Sequence, residues 1–243
     1  MVFALSATQA IAKVEKHCGA VLSKLQHQYP GKQLHEIPFR KVVTATALVL
    51  EKHPDFKLNP QDGQLEPIRG RSYLYSSYEV GQTMYLHVVA SQLKAEQLLP
   101  SQHEEIFKNA MGKLFSNPPH QYRKAQSESL EELVKKLGEE KSGKLLNRAY
   151  ELWGQYGNEW ADMHLGQNRK GKKAARLPEK IRKRLGDIFG NPASHHVFLS
   201  YYRRENSNPL DSFRAGLKEL TDPEIQESSA YSIDDTKRTR KKK

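Results

Sequence analysis

The sequence predicts an all-α protein: an irregular multi-helix bundle, divisible into two helical subdomains, with a basic C-terminal tail expected to be disordered. Three observations lead there. Apolar residues recur three and four apart along most of the chain, the period of a helix with one buried face. Pro, Gly and Asn-Pro pairs punctuate these stretches where helices would start and stop. The 243 residues are 37% hydrophobic and 28% charged, which suits helices packed on a shared core with generous polar outer faces.

In chain order, residues 1–29 read as an amphipathic helix with Ser6 as N-cap and Ile11, Val14, Cys18, Val21, Leu22 and Leu25 on one face, ended by Tyr29-Pro30-Gly31. A second helix starts at Pro38, whose missing N–H is harmless in a first turn, and runs through Val42, Val43, Ala47, Val49 and Leu50 to His53-Pro54. It is apolar on most sides and is expected near the centre of the core. Residues 54–71, broken by Pro60, Asp62-Gly63, Pro67 and Gly70, read as a long loop.

Tyr73, Leu74, Tyr75, Tyr78 and Val80 fit either a short strand or the start of a helix, and a helix is expected over Gln82–Leu99 with Tyr85, Val88, Val89 and Leu93 buried. Ser101 and Glu104 have the spacing of a capping box for a helix carrying Ile106, Phe107, Ala110, Met111, Leu114 and Phe115, closed by Asn117-Pro118-Pro119. The double proline marks the expected boundary between an N-terminal helical domain, 1–119, and a basic helical domain, 120–222, with residues 223–243 as the cationic tail.

In the second part, Ser129 and Glu132 suggest another capping box, with Leu130, Leu133, Val134 and Leu137 on a short helix before Gly138. From Lys144, the residues Leu145, Ala149, Leu152, Trp153, Tyr156, Trp160 and Met163 form an apolar stripe, although Gly154 and Gly157 weaken a helix by roughly 1 kcal/mol each relative to Ala. The tryptophans are expected in the core, with base stacking as the alternative.

After Gly166 the composition changes. Between Asn168 and Gly186 nine residues are Lys or Arg (Arg169, Lys170, Lys172, Lys173, Arg176, Lys180, Arg182, Lys183 and Arg184), and Glu179 is the single acid, a local balance of +8 within a chain total of +11. Residues 168–175 have no apolar period and are expected to be a mobile loop. Residues 177–189 are expected to be helical, with Leu177, Ile181, Leu185 and Ile188 on one side and Lys180, Lys183 and Arg184 on the other. Gly190-Asn191-Pro192 breaks the chain before a helix with His195, His196, Val197, Phe198, Tyr201, Tyr202, Arg203 and Arg204. Asn208-Pro209 precedes another with Leu210, Phe213, Leu217 and Leu220 buried, and the chain closes on Lys-Arg-Thr-Arg-Lys-Lys-Lys.

Charge points to a partner. Residues 1–120 hold 13 basic and 10 acidic side chains, residues 121–186 hold 16 and 9, and the remainder 10 and 9. Cations that neutralise phosphates release condensed counterions, so this cluster can supply affinity for DNA or RNA without reading a base. The candidate interface is therefore Arg169, Lys170, Lys172, Lys173, Arg176, Lys180, Arg182, Lys183 and Arg184, supported by Arg203, Arg204 and the tail. A solvated helix face is the plainer explanation of a charge run, but such faces mix signs.

The helix pair about Gly190-Asn191-Pro192 also admits a helix-turn-helix, with 192–205 inserted into the major groove. Tyr201, Tyr202 and Phe198 beside arginines would equally suit single-stranded bases. Blocks 169–173, 180–184 and 237–243 resemble nuclear localisation signals.

Other classes are poorly served. One cysteine, Cys18, leaves no internal disulfide or Cys-rich zinc site and reads as a small buried residue. The ten histidines form no His-Glu-x-x-His or similar ligand set, and His195 and His196 would diverge by about 100° on a helix. Gly138–Gly143 contains Lys141-Ser142 but not the order of a phosphate-binding loop, and it joins two helices.

A non-catalytic protein without cofactor or metal is the expectation. A magnesium-dependent nuclease built from scattered carboxylates is the less favoured enzyme class. A mean hydropathy of −0.76 and no long apolar run argue against a membrane span, and the N-terminus lacks a signal-type block. An intracellular protein is expected, cytoplasmic, or nuclear if eukaryotic. The alternative to a free-standing nucleic-acid binder is a helical scaffold subunit of a larger nucleoprotein complex, held mainly by contacts with other protein subunits.

Overall fold

Tyr85 lies in the core that the described helices share, and each helix contributes to that core. The structure, a computed structural model, describes residues 7–52, 56–58, 65–67, 77–112 and 120–165, together with 210, 211, 213 and 214. These form six α-helices and one small antiparallel ladder, in the order α1 (Ala7–Gln28), α2 (Phe39–Glu51), β1 (Phe56–Leu58), β2 (Leu65–Pro67), α3 (Ser77–Ala95), α4 (Glu104–Ala110), α5 (His120–Leu137) and α6 (Glu139–Leu165). The all-α class is as the periodicity predicts.

In α1 the residues Val14, Cys18, Val21 and Leu25, spaced four, three and four, are each at most 1% exposed. Gly31, at φ 77°, turns the chain after Pro30 toward a 3-10 turn at Leu34–Glu36. Pro38 flanks α2, its carbonyl accepting the Lys41 N–H at 2.7 Å. As expected, α2 buries most of its sides: Phe39, Val42, Val43, Ala45, Thr46, Ala47 and Leu50. The hydroxyls of Thr44 and Thr46 donate to the carbonyls of Arg40 and Val42, each at 2.9 Å, which lets a polar side chain sit in an otherwise apolar run.

The most deeply buried helix is α3. Val80, Met84, Tyr85, Leu86, Val88, Val89, Ala90 and Leu93 are all essentially inaccessible, and α3 touches α1, α2, α4 and α6. A helix apolar all round must lie inside a bundle, with other helices to cover each side. Helix from Ser77 decides the open reading for residues 77–80; residues 73–76 lie outside the described residues.

Several expectations are corrected. Residues 54–71 contain a ladder pairing Phe56 with Pro67, Lys57 with Glu66 and Leu58 with Leu65; with only three residues a side, its alternation is too short to register in sequence, and Pro67 adds a misleading break. The helix expected to reach Leu99 ends at Ala95. There Gln97 takes a left-handed conformation (φ 59°), and the amides of Leu98 and Leu99 fold back onto the Leu93 carbonyl at 2.9 and 3.2 Å. A non-glycine residue carries this turn, so sequence does not announce it, and burial of Leu99 offsets the strain.

Neither proposed capping box forms. Ser101 belongs to a 3-10 turn that follows Pro100 and makes no side-chain cap, while Glu104 is drawn to Lys94 and Lys108. Ser129 lies inside α5, its hydroxyl donating to the Ala125 carbonyl at 2.8 Å. Helix α5 begins nine residues before Ser129 because Gln126 docks it onto α4, donating from Nε2 to the Ala110 carbonyl at 2.9 Å. That carbonyl belongs to the last turn of α4, which stops at Ala110 rather than at Phe115; Gly112 (φ 80°) then turns the chain, and a Cβ there would meet Gln126 Nε2 at 3.1 Å.

Gly138 (φ 84°) supplies the expected break, and α6 starts at once, five residues before Lys144. Leu145, Leu146, Ala149, Leu152, Trp153 and Tyr156 line its buried face. Buried residues on both sides of position 119 belong to one continuous cluster, which runs from Val14 to Phe213. At its heart Tyr85 packs on Trp153 (ring centroids 4.6 Å apart), Phe39 (5.6 Å) and Tyr156 (6.0 Å), and its hydroxyl donates to the Trp153 carbonyl. Burial pushes the Tyr156 phenol up to about 12. Trp153 is thus a core residue, and Cys18 is buried with its thiol toward the Val80 carbonyl. No described helix is long and apolar enough to cross a membrane.

Candidate nucleic-acid interface

The eleven residues expected to contact nucleic acid, Arg169 through Arg184 in the basic stretch with Arg203 and Arg204, lie outside the described residues, as do the 192–205 helix and the 223–243 tail. The structure does describe what flanks the stretch on either side. On one side α6 ends at Leu165. On the other, Leu210 and Phe213 are 0% and 4% exposed and join the core cluster, the buried positions expected of that segment.

Arg214, which the sequence reading passed over, fixes this second flank. Its Nε and Nη2 donate to Oε1 and Oε2 of Glu131 at 2.7 and 2.8 Å, a two-pronged contact with one carboxylate, while Nη1 and Nη2 donate to Glu139 at 3.1 and 3.0 Å. Glu131 is on α5 and Glu139 opens α6, so one guanidinium spans the corner at Gly138. The hydrogen bonds from Arg214 hold the Glu131 carboxyl below its ordinary value and raise the Arg214 guanidinium in turn. At 1.5 Å per residue α6 is roughly 40 Å long. Leu165 closes α6, and Arg214 meets its opening residue, Glu139.

The helical body itself offers little excess charge. Residues 1–165 hold 20 basic and 18 acidic side chains, a balance of +2, against 19 and 10, or +9, for residues 166–243. Much of the body's charge is mutually engaged. Lys108, 3% exposed, lies between Glu104 and Glu105, and Glu104 also takes Lys94. Arg148 grips Glu96 through Nε and Nη2, both at 2.8 Å, and Glu151 through Nη1. Burial pushes Glu104 up, but Lys94 and Lys108 together hold it below its ordinary value. These pairs knit the C-terminal end of α3 to α4 and α6.

The Arg148 hydrogen bond lowers the Glu96 carboxyl below the ordinary 4.5. A carboxylate with a lowered folded-state value stabilises the fold above its unfolded value and loses that contribution as pH falls through the lowered one. Glu96→Gln is expected to cost about 1 kcal/mol at neutral pH. The gap from wild type, read by urea unfolding, should shrink below pH 4.5. A gap unchanged down to about pH 3 would show that Glu96 acts by packing and not by charge.

The His35–Ser91 contact serves structure. His35 Nδ1 lies 3.0 Å from Ser91 Oγ, but the same oxygen accepts the His35 backbone N–H at 3.2 Å, so the hydroxyl ties the 3-10 turn to α3. No group of three or more His, Cys, Asp or Glu among the described residues could hold a metal ion. In comparisons with known proteins, no family model matches the chain, and no curated protein or solved structure matches it. Its function is therefore argued from its own residues.

Proposed function

We propose that this protein is a non-catalytic nucleic-acid-binding protein, intracellular, that contacts the phosphates of DNA or RNA through Arg169, Lys170, Lys172, Lys173, Arg176, Lys180, Arg182, Lys183 and Arg184, with Arg203 and Arg204 in support. The observation that carries this reading is the segregation of charge. A helical body of balance +2 is followed by a third of the chain with +9, and nine cations opposed by one acid fall within 19 consecutive residues of it. A polyanion is the partner that such a stretch attracts most strongly, since each phosphate neutralised releases bound counterions.

Fluorescence anisotropy of the full chain against labelled single-stranded RNA, single-stranded DNA and duplex DNA, each titrated across salt, tests it. The expected result is binding whose logarithm falls with log salt at a slope of about −3 or steeper. Preference for single strands would point to Phe198, Tyr201 and Tyr202 as stacking residues, and preference for duplex to groove docking. No binding to any of the three at low salt would overturn the reading in favour of the helical scaffold subunit, whose affinity would then depend on added protein partners.

A further inference from the structure

We infer that the outer face of α1, with the turn that follows it, is a second nucleic-acid contact, on the helical body, and takes phosphates through Lys16, Lys24 and Lys32. The inference rests on the reading of the protein as a nucleic-acid binder, but not on the basic stretch, and all of its residues belong to the described helices and turn. The charge of the body is uneven. Residues 7–52 hold 7 basic and 3 acidic side chains (+4), residues 77–112 hold 2 and 4 (−2), and residues 120–165 hold 7 and 8 (−1). Of these three parts α1, α2 and their turn alone are positive.

Helical geometry gathers the cations of α1 on one side. Val14, Cys18, Val21 and Leu25 turn into the core. At about 100° per residue, Lys16, Ala20, Ser23 and His27 fall within about 60° of one another on the other side, with Lys24 at the edge. All of these are exposed except Lys24, which is half-buried. From Lys16 to His27 the face is about 17 Å long. Ala20 and Ser23 keep its surface low, so that a nucleic-acid backbone can lie against the helix while the long lysine side chains reach its phosphates. Lys32, also exposed, follows the turn at Gly31 and extends the cationic surface past the end of α1.

These cations are unpaired. Lys16, Lys24 and Lys32 make no ion pair among the described residues, whereas Lys94, Lys108, Arg148 and Arg214 each hold a carboxylate. The nearby acids are occupied. Glu36 accepts the Gln33 backbone N–H at 2.6 Å, and Glu15, the one acid of α1, is half-buried at the opposite edge of the face and engaged within the protein. Where this protein grips a carboxylate with two prongs it uses Arg, whose planar fork fits that group. Residues 7–32 contain no Arg. Lysines are mobile point charges, and suit a row of phosphates met without fixed geometry.

The experiment compares four full-length proteins by anisotropy on labelled duplex DNA across salt, with far-UV circular dichroism as a check on folding: wild type, Lys16→Ala with Lys24→Ala, Lys135→Ala with Lys136→Ala, and the basic-stretch variant Lys180→Ala, Lys183→Ala and Arg184→Ala. Lys135 and Lys136 are exposed on α5 beside Glu131 and Glu132, so the two lysine pairs differ in place and not in charge removed. The expected result for the α1 pair is a slope shallower by about 1.8 and affinity lower by about sixtyfold near 0.1 M salt, with the α5 pair within about threefold of wild type. Equal effects of the two pairs would show attraction by overall charge and overturn the inference, as would an unchanged slope in the α1 pair; in both cases the binding function would stand. An effect of the α1 pair with none from the basic-stretch variant would support this face and overturn that part of the basic stretch as interface. No binding by wild type would overturn both readings.

Discussion

Replacing Tyr85 by alanine lowers the free energy of unfolding by about 4 kcal/mol, the scale measured when a fully buried aromatic ring is removed from a core. Tyr85 is 0% exposed, and Phe39, Trp153 and Tyr156 all pack edge-on or tilted against it, so its ring joins α2, α3 and α6. The cavity cannot collapse easily, because the neighbouring rings are held on two different helices, Phe39 on α2 and Trp153 and Tyr156 on α6. Tyr85→Phe keeps the ring and removes the donor to the Trp153 carbonyl, and should cost about 1 kcal/mol. Urea unfolding followed by tryptophan fluorescence reads both. A loss below about 1 kcal/mol for the alanine variant would mean that the three helices do not converge on this side chain.

On the functional side the largest expected effect is that of Lys180, Lys183 and Arg184 changed together to alanine. If all three meet phosphate on duplex DNA, the slope of log affinity on log salt becomes shallower by roughly 2.7, which corresponds to a loss of about two to three orders of magnitude near 0.1 M salt. The loss should be similar for unrelated sequences, because phosphate contacts carry no base information. Anisotropy titrations of variant and wild type across salt read both quantities. An unchanged slope would remove this group from the interface and leave Arg169, Lys170, Lys172, Lys173, Arg176 and Arg182 to carry it.

How much was legible depended on whether a feature is local. The faces of α1, α2 and α6 are written in residues three and four apart, and the breaks at Gly31 and Gly138 are positions where φ is positive and glycine is the natural occupant. The left-handed turn at Gln97 carries no such mark. Ser101 and Ser129 have the right spacing to a glutamate for a helix start, yet the acids were engaged elsewhere: Glu104 pairs with lysines, while α5 was already running past Ser129. A capping motif is a preference of about 1 kcal/mol, and packing of Gln126 and its neighbours on α4 outweighs it.

By itself the sequence determined the helical class, the burial of Val14, Cys18, Val42, Trp153 and Leu210, and the concentration of cations between Asn168 and Gly186, since each follows from residue type and spacing along one segment. Only the tertiary structure decided that α3 is central, that Tyr85 gathers three aromatic neighbours, and that Arg214 meets Glu131 and Glu139, 83 and 75 positions earlier in the chain. Those contacts depend on how helices cross and on which carboxylates two of them bring to one corner. Periodicity along a single helix states which face is buried, and it carries no information about what that face will meet.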